Sequence, residues 1–430
     1  MPDWDQVEAQ ASELLAAYLR INTTNPPGQE AAAAAFLAGV FAQHGITAQV
    51  AGAAPGRANL LAVLPAADVR QPPLLLTHHM DVVTADPAEW SLDPFGGLEK
   101  DGHLYGRGAL DTKGLGIMHL LGMLLLQASG RPRHRHVLYL AVADEEVNST
   151  HGMVWALDHW RDELAGATAW GEGGMGVRGV LGPAPFFGIA TAEKLSLTLR
   201  LTAHGQSGHG SSPHRQNANE ILAQAIVRLA AWQQPLEITP VAAEMMQQIG
   251  RVAGGWRGWL LRQPYLHLPA AFYRTLLASQ PSFVAMLADS VCVTVVRGGE
   301  KDNVIPGAAE ATLDVRLLPG REPEAFIGRL TEVIQDPRVQ VSLLDAPTPA
   351  PVSPTTNPLY ATLSRVIQSQ VPGALVGPMQ LTGCTDGRWL RRQGPVSYTH
   401  LRAHETVLDL VCRLLLENNT PSRPPPPAIL

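Results

Sequence analysis

Apolar positions recur at helical spacing over residues 4–19 (Val7, Leu14, Leu15, Tyr18), behind Asp3 as an N-cap and ahead of the breaking run NTTNPPG. An Ala-rich stretch over 30–44 follows, then short strand-like runs in ITAQV and ANLLAVL. PLLLT at 73–77 is apolar on both faces, as a central parallel strand covered on both sides must be. The pattern repeats with a helix over 114–127, a second doubly apolar strand at 136–143, a helix over 153–160 and the run TAWGEGG. This alternation predicts an α/β fold built on a mainly parallel sheet.

From about Thr191 the texture changes. EKLSLTLRLTA alternates apolar and polar residues, as a strand with one wet face does, and a helix over 219–232 follows. SVCVTVV, EATLDVRLL, a helix over 322–334 and VQVSLL complete a small antiparallel sheet with helices on one side, and the Pro-rich APTPAPVSPTTNP leads back. The expected division is a metal-binding catalytic domain over 1–190 and 351–430, interrupted by an α+β unit over 191–350. Residues 236–290 are helical in texture and carry Trp256, Trp259, Tyr265 and Phe272, expected as core, with an acyl-group pocket or a dimer face as the alternatives.

The 430 residues are 46% hydrophobic and only 16% charged, which argues against disorder and against a coiled coil. With 32 Lys and Arg against 38 Asp and Glu, and no dense basic cluster, neither nucleic acid nor an anionic membrane is an expected partner. Three scattered cysteines (Cys292, Cys384, Cys412) form no disulfide framework and no CxxC spacing. The polar start MPDWDQVEAQ does not read as an export signal, and the longest apolar stretch, 115–126, is too short to span a bilayer. A reduced, cytoplasmic setting is expected.

Both doubly apolar strands run into acids. The first continues as HHMDVV, where extended backbone puts His79 and Asp81 on one side, so that Asp81 can hold one ring nitrogen while the other meets a metal. The second ends in Asp144, Glu145 and Glu146. Asp111 in GRGALDTKG and Glu172 in WGEGG lie in loops beside strand ends. Taken singly, each reads equally well as a structural pair, a solvated turn or ordinary turn chemistry. Together they place five carboxylates and one imidazole on one edge of one sheet, where open α/β sheets gather reactive groups and where a multivalent cation is needed to hold them. Oxygen and imidazole donors without thiolate suit zinc, with cobalt or manganese as alternatives.

The series THHMDVV, GRGALDTKG, ADEEVNSTHG and WGEGG, in this order and spacing, resembles the M20 family (M20/M25/M40 type) of metallopeptidases and acylamino-acid amidohydrolases. GQSGHGSSPHRQNA, KDNVIPGAAEATLDVRLLPG and LTGCTDGRWL extend the resemblance over about residues 10–394. It implies a di-zinc hydrolase domain with an inserted lid that often serves for homodimerisation. It implies two zinc ions per chain, with Asp111 bridging them, His79 and Glu172 on one and Glu146 on the other. Glu145 becomes the general base, Asp81 orients His79, and a non-proline cis peptide follows Asp111. His209 becomes the lid histidine that polarises the scissile carbonyl, in dimeric relatives often that of the neighbouring subunit. The substrates implied are small peptides or N-acyl amino acids with a free carboxylate, for which Arg316 and Asn303 are the expected contacts, with Thr385 and Asp386 shaping the opposite wall.

The C-terminal segment departs from this pattern. From about Pro395 the chain reads PVSYTHLRAHETVLDLVCRLLLENN, which resembles a translated transposon-type sequencing adapter and so foreign DNA, where the family places its last histidine ligand. His404 imitates that ligand 18 positions after Asp386, closer than the family pattern has it. Two competing readings stand beside the amide hydrolase: a di-zinc aminopeptidase, and a noncatalytic ligand-binding protein on the same fold.

Overall fold

The computed structural model describes residues 2–177, 184–253, 255–264, 281–394 and 397–399. The chain opens with the helix Trp4–Leu19, whose first free amides are met by the Asp3 carboxylate, accepting from the backbone of Asp5 at 3.2 Å and Gln6 at 3.4 Å. The main sheet takes the order Ala48–Ala54, Arg57–Leu64, Val137–Val142, Leu74–His79, Thr168–Gly171, Ser397–Thr399, Phe186–Glu193 and Leu375–Leu381, with Met175–Val177 paired to Phe186–Glu193. Its middle pairs are parallel and its first two pairs antiparallel, so the α/β, mainly parallel class holds.

Every residue of Leu74–His79 and of Val137–Val142 is buried, as the doubly apolar runs require. One face of the sheet is covered by helices Trp4–Leu19, Glu30–Gln43 and Lys113–Ala128, in a core that includes Tyr18, Phe41, Leu120 and Tyr139. The other face is covered by Met153–His159, with Leu157 and Trp160 in its core.

A second, four-stranded antiparallel sheet has the order Ser290–Gly298, Ala308–Leu317, Leu195–His204, Val339–Leu343. Helices Ala218–Ala231 and Pro323–Ile334 close its core, giving a βαββαβ unit. Along Leu195–His204 the leucines and Ala203 point into that core while Arg200 and His204 face out.

The helix Pro240–Val252, inserted into this unit, packs on the main sheet instead: Met245, Met246 and Ile249 join Phe186 and Met379. The helix Gly255–Leu261 buries Leu260 and Leu261 but leaves Trp256 60% and Trp259 53% exposed, which corrects their expected place in the core. Tyr265, Phe272 and His404 lie outside the described residues. Among those residues no helix is long and apolar enough to cross a membrane.

Candidate metal centre

Strand register explains how distant acids meet. In the parallel pair, His79 stands opposite Val142, and the Met80 amide donates to the Val142 carbonyl at 2.7 Å. Asp81 and Asp144 therefore leave the sheet at the same edge, two residues beyond that pair. Leu76 pairs with Trp170, so Glu172, two residues on, emerges level with the end of the first strand. Asp111 comes from the loop before the helix Lys113–Ala128, and the peptide that follows it, Asp111–Thr112, is cis, as the family resemblance implies.

His79 is buried, with Nε2 at 3.2 Å from Asp111 Oδ1 and 3.3 Å from Glu172 Oε2. Its Nδ1 lies 2.9 Å from the Asp81 backbone carbonyl and 3.5 Å from the Asp81 carboxylate. The Asp81 side chain accepts instead from Asn25 Nδ2 at 2.8 Å and from the amides of Glu145 and Glu146 at 3.0 and 3.1 Å. One buried carboxylate thus caps the turn that carries the acid pair. Asp144 winds this turn with φ +68° and accepts from Asn25, Arg57 and the His151 amide. Downstream, Ser149 donates to Asp386 Oδ1 at 2.6 Å.

Crowding shows in the protonation of these groups. Burial, with Glu172 close by, pushes the Glu145 carboxyl well above its usual range. Burial likewise raises Glu146 and Asp386 to about 7 each. For His79 burial favours the neutral ring, but Glu172, Asp111 and Asp81 outweigh it and raise its pKa. A cation among these groups would relieve both the repulsion and the burial cost. The donor geometry fits one: donor atoms of His79, Glu145 and Glu172 lie within 4.8 Å of one another, as do those of His79, Asp111 and Glu146. Glu145, expected as base and not as ligand, is within reach of the same position as Glu172.

The remaining expected residues sit elsewhere. His209 is exposed on the short strand Gly208–His209, paired to Val304, with its Nδ1 against Ser211 Oγ at 2.7 Å. Asn303 is its neighbour, accepting from the Gly210 amide through its backbone carbonyl at 2.9 Å. Arg316 is held by both oxygens of Asp314, at 2.6 and 3.0 Å, with Cys384 Sγ at 3.4 Å. Thr385 is buried and donates, through amide and hydroxyl, to Glu193, which also pairs with Arg391.

Asn25 and Arg57 carry no expected role from the sequence, yet Asn25 ties Asp81 to Asp144 and Arg57 ties Asp144 to Glu30. The available signal was NTTNPPG, legible as a turn; that both of its prolines follow cis bonds and seat Asn25 between two carboxylates is a tertiary fact.

The sequence profile of Peptidase family M20/M25/M40 matches residues 75–404. The chain belongs to that family. As an M20 member it is 31% identical over 325 residues to the N-fatty-acyl-amino acid synthase/hydrolase PM20D1 of Xenopus tropicalis, covering 74% of this chain and 62% of the relative. It is 27% identical to Aminoacylase-1 of Homo sapiens over 93% of this chain and 92% of that protein. The chain thus spans less than two thirds of the length of PM20D1. Among solved folds it superposes on the M20 metallo-carboxypeptidase Sso-CP2 of Sulfolobus solfataricus with a TM-score of 0.69, at 16% identity, over 94% of this chain and 96% of that one. The Bacillus subtilis YXEP protein, a dinuclear metal binding peptidase of the M20 family, superposes with a TM-score of 0.57 at 12% identity, over 95% of each chain.

Proposed function

We propose that this M20 chain hydrolyses the amide bond of small peptides or N-acyl amino acids bearing a free carboxylate. The observation that carries the reading is the convergence of Asp111, Glu145, Glu146 and Glu172 on buried His79, a cluster that is costly without a cation and is built from the donors a divalent metal takes. His79, Asp111, Glu146 and Glu172 would hold two zinc ions, with cobalt or manganese as substitutes. Zinc supplies Lewis acidity there, which in such sites brings the pKa of water to about 7.

The chain's own residues then divide the work. Glu145, with its carboxyl held high by burial, is suited to take a proton from the attacking water and return it to the departing nitrogen, a role worth about 10²- to 10⁴-fold. Asp81 fixes the ring of His79 and the turn of Glu145 together. His209 would polarise the scissile carbonyl, a donation worth about 10²- to 10³-fold. Its exposure on the short strand Gly208–His209, paired with Val304–Ile305 outside the four-stranded sheet, requires either closure of the inserted unit or delivery to a neighbouring subunit. A homodimer through this unit is in keeping with the edge strand Ser290–Gly298, which leaves Val295 and Val296 exposed.

The test is a hydrolysis screen over N-acyl amino acids and dipeptides with zinc, cobalt and manganese. Cleavage restricted to substrates with a free carboxylate is expected. Cleavage that instead requires a free amine would make the chain an aminopeptidase, and no turnover with any metal would make it a noncatalytic binder.

A further inference from the structure

The inserted unit is joined to the main sheet beside one strand. Phe186–Glu193 is buried throughout, and a single residue, Lys194, separates it from Leu195–His204 of the second sheet. The chain returns along the same strand, where the Ser353 amide donates to the Thr191 carbonyl at 2.8 Å. Glu193 therefore marks the crossing between the two units. Leu375–Leu381 runs parallel to this strand with Leu381 opposite Glu193, so the loop that follows Leu381 starts level with the Glu193 side chain.

One carboxylate organises that loop. Glu193 Oε2 accepts from the Thr385 amide at 2.8 Å and from its hydroxyl at 3.0 Å, while Oε1 pairs with Arg391 in the helix Gly387–Arg392. The next residue, Asp386, accepts from Ser149 Oγ at 2.6 Å. Ser149 closes the acid turn: its amide donates to the Asp144 carbonyl at 2.6 Å, and its own carbonyl accepts from the amides of Gly152 and Val154, both at 3.1 Å. Glu193, Thr385, Asp386 and Ser149 are all buried, where water competes little for these bonds. Hydrogen bonds and one peptide link thus run from the crossing to the turn that carries Glu145 and Glu146.

We propose that Glu193 is a positioning residue which, through Thr385, Asp386 and Ser149, sets the placement of the acid turn from the crossing between the two units. Its effect on kcat rests on the proposed hydrolysis; its effect on the turn does not. A buried ion pair with Arg391 and nothing more would instead support the fold as a whole without favouring this turn.

The experiment follows hydrogen exchange in the zinc-loaded full chain as wild type, Glu193→Gln, Ser149→Ala and the double variant. The amides of Glu145, Glu146, Val147, Ser149 and His151 donate to Asp81 or Asp144 and so report on the turn. Each single variant should exchange them about 10-fold faster while the helix Ala218–Ala231 stays as in wild type. The double variant should be no faster than either single one, since one break already frees the turn. On N-acetyl-L-methionine each single variant should lose about 10-fold in kcat with KM little changed. Unchanged exchange, an equal rise in the turn and in Ala218–Ala231, effects that multiply in the double variant, or a loss carried wholly by KM overturns the proposal. Where Glu193→Gln does not fold because Arg391 is left buried and unpaired, Thr385→Val keeps that pair and takes its place in the same cycle, under the same outcomes. A wild type that cleaves nothing ends the hydrolysis reading and leaves the exchange rates to decide on Glu193.

Discussion

Removing the charge of Glu145 while keeping its shape, as in Glu145→Gln, isolates proton transfer from metal binding. The variant should keep its zinc content and lose about 10²- to 10⁴-fold in kcat. A near-normal rate would take the role of base away from Glu145, and loss of zinc would place it among the ligands, as its proximity to His79 and Glu172 also allows. Asn25 makes the complementary case. Its side-chain amide lies between the buried carboxylates of Asp81 and Asp144 at 2.8 and 3.0 Å, so Asn25→Ala leaves both short of a donor. Zinc affinity should fall by about 10- to 100-fold, read by competition with a chelating dye, and an unchanged affinity would show that the network does not steer the ligands. His79 and Asp81 could be singled out in the sequence because two residues in extended chain share a side. Asn25 could not, because its partners are 56 and 119 positions away and only folding brings them to it.

At the scale of elements, the site depends on tight passages between strand and helix. Gly152 precedes the helix Met153–His159, and a Cβ there would stand 1.6 Å from the Ala143 carbonyl oxygen, on the strand end from which the acid turn springs. Since the obstacle is backbone, the turn itself must move. Gly152→Ala should lower stability by about 1–3 kcal/mol in urea unfolding and weaken zinc binding together. Loss of stability with intact zinc affinity would show that the clash relaxes away from Glu145 and Glu146. The strands around this turn were readable as doubly apolar runs because burial on both faces imposes that composition. The helix Gly255–Leu261 agrees with the helical texture of its sequence, but its tryptophans look like core by type and are exposed, because the choice of leucines for the buried side belongs to the packing partner.

For the whole molecule, the acid cluster couples metal to stability. Chelation should lower the Tm in scanning calorimetry, and zinc at about 100 times its Kd should restore about 2.7 kcal/mol. An unaltered Tm would mean that the carboxyls tolerate one another without a cation. The proposed dimer has its own consequence: mixing His209→Ala with Glu145→Gln protomers should regain activity that neither has alone, and absence of rescue in verified mixed dimers would confine His209 to its own subunit. By itself the chain determined its α/β class, the change to an alternating antiparallel unit near Thr191 and the order of its acid motifs, since periodicity and motif spacing are local properties. Tertiary structure alone decided that parallel register brings positions 79, 81, 144 and 172 to one sheet edge, and that Arg316 is held by Asp314. Those are outcomes of which distant groups come within a few ångströms, and strand register and helix packing, not neighbouring sequence, set such distances.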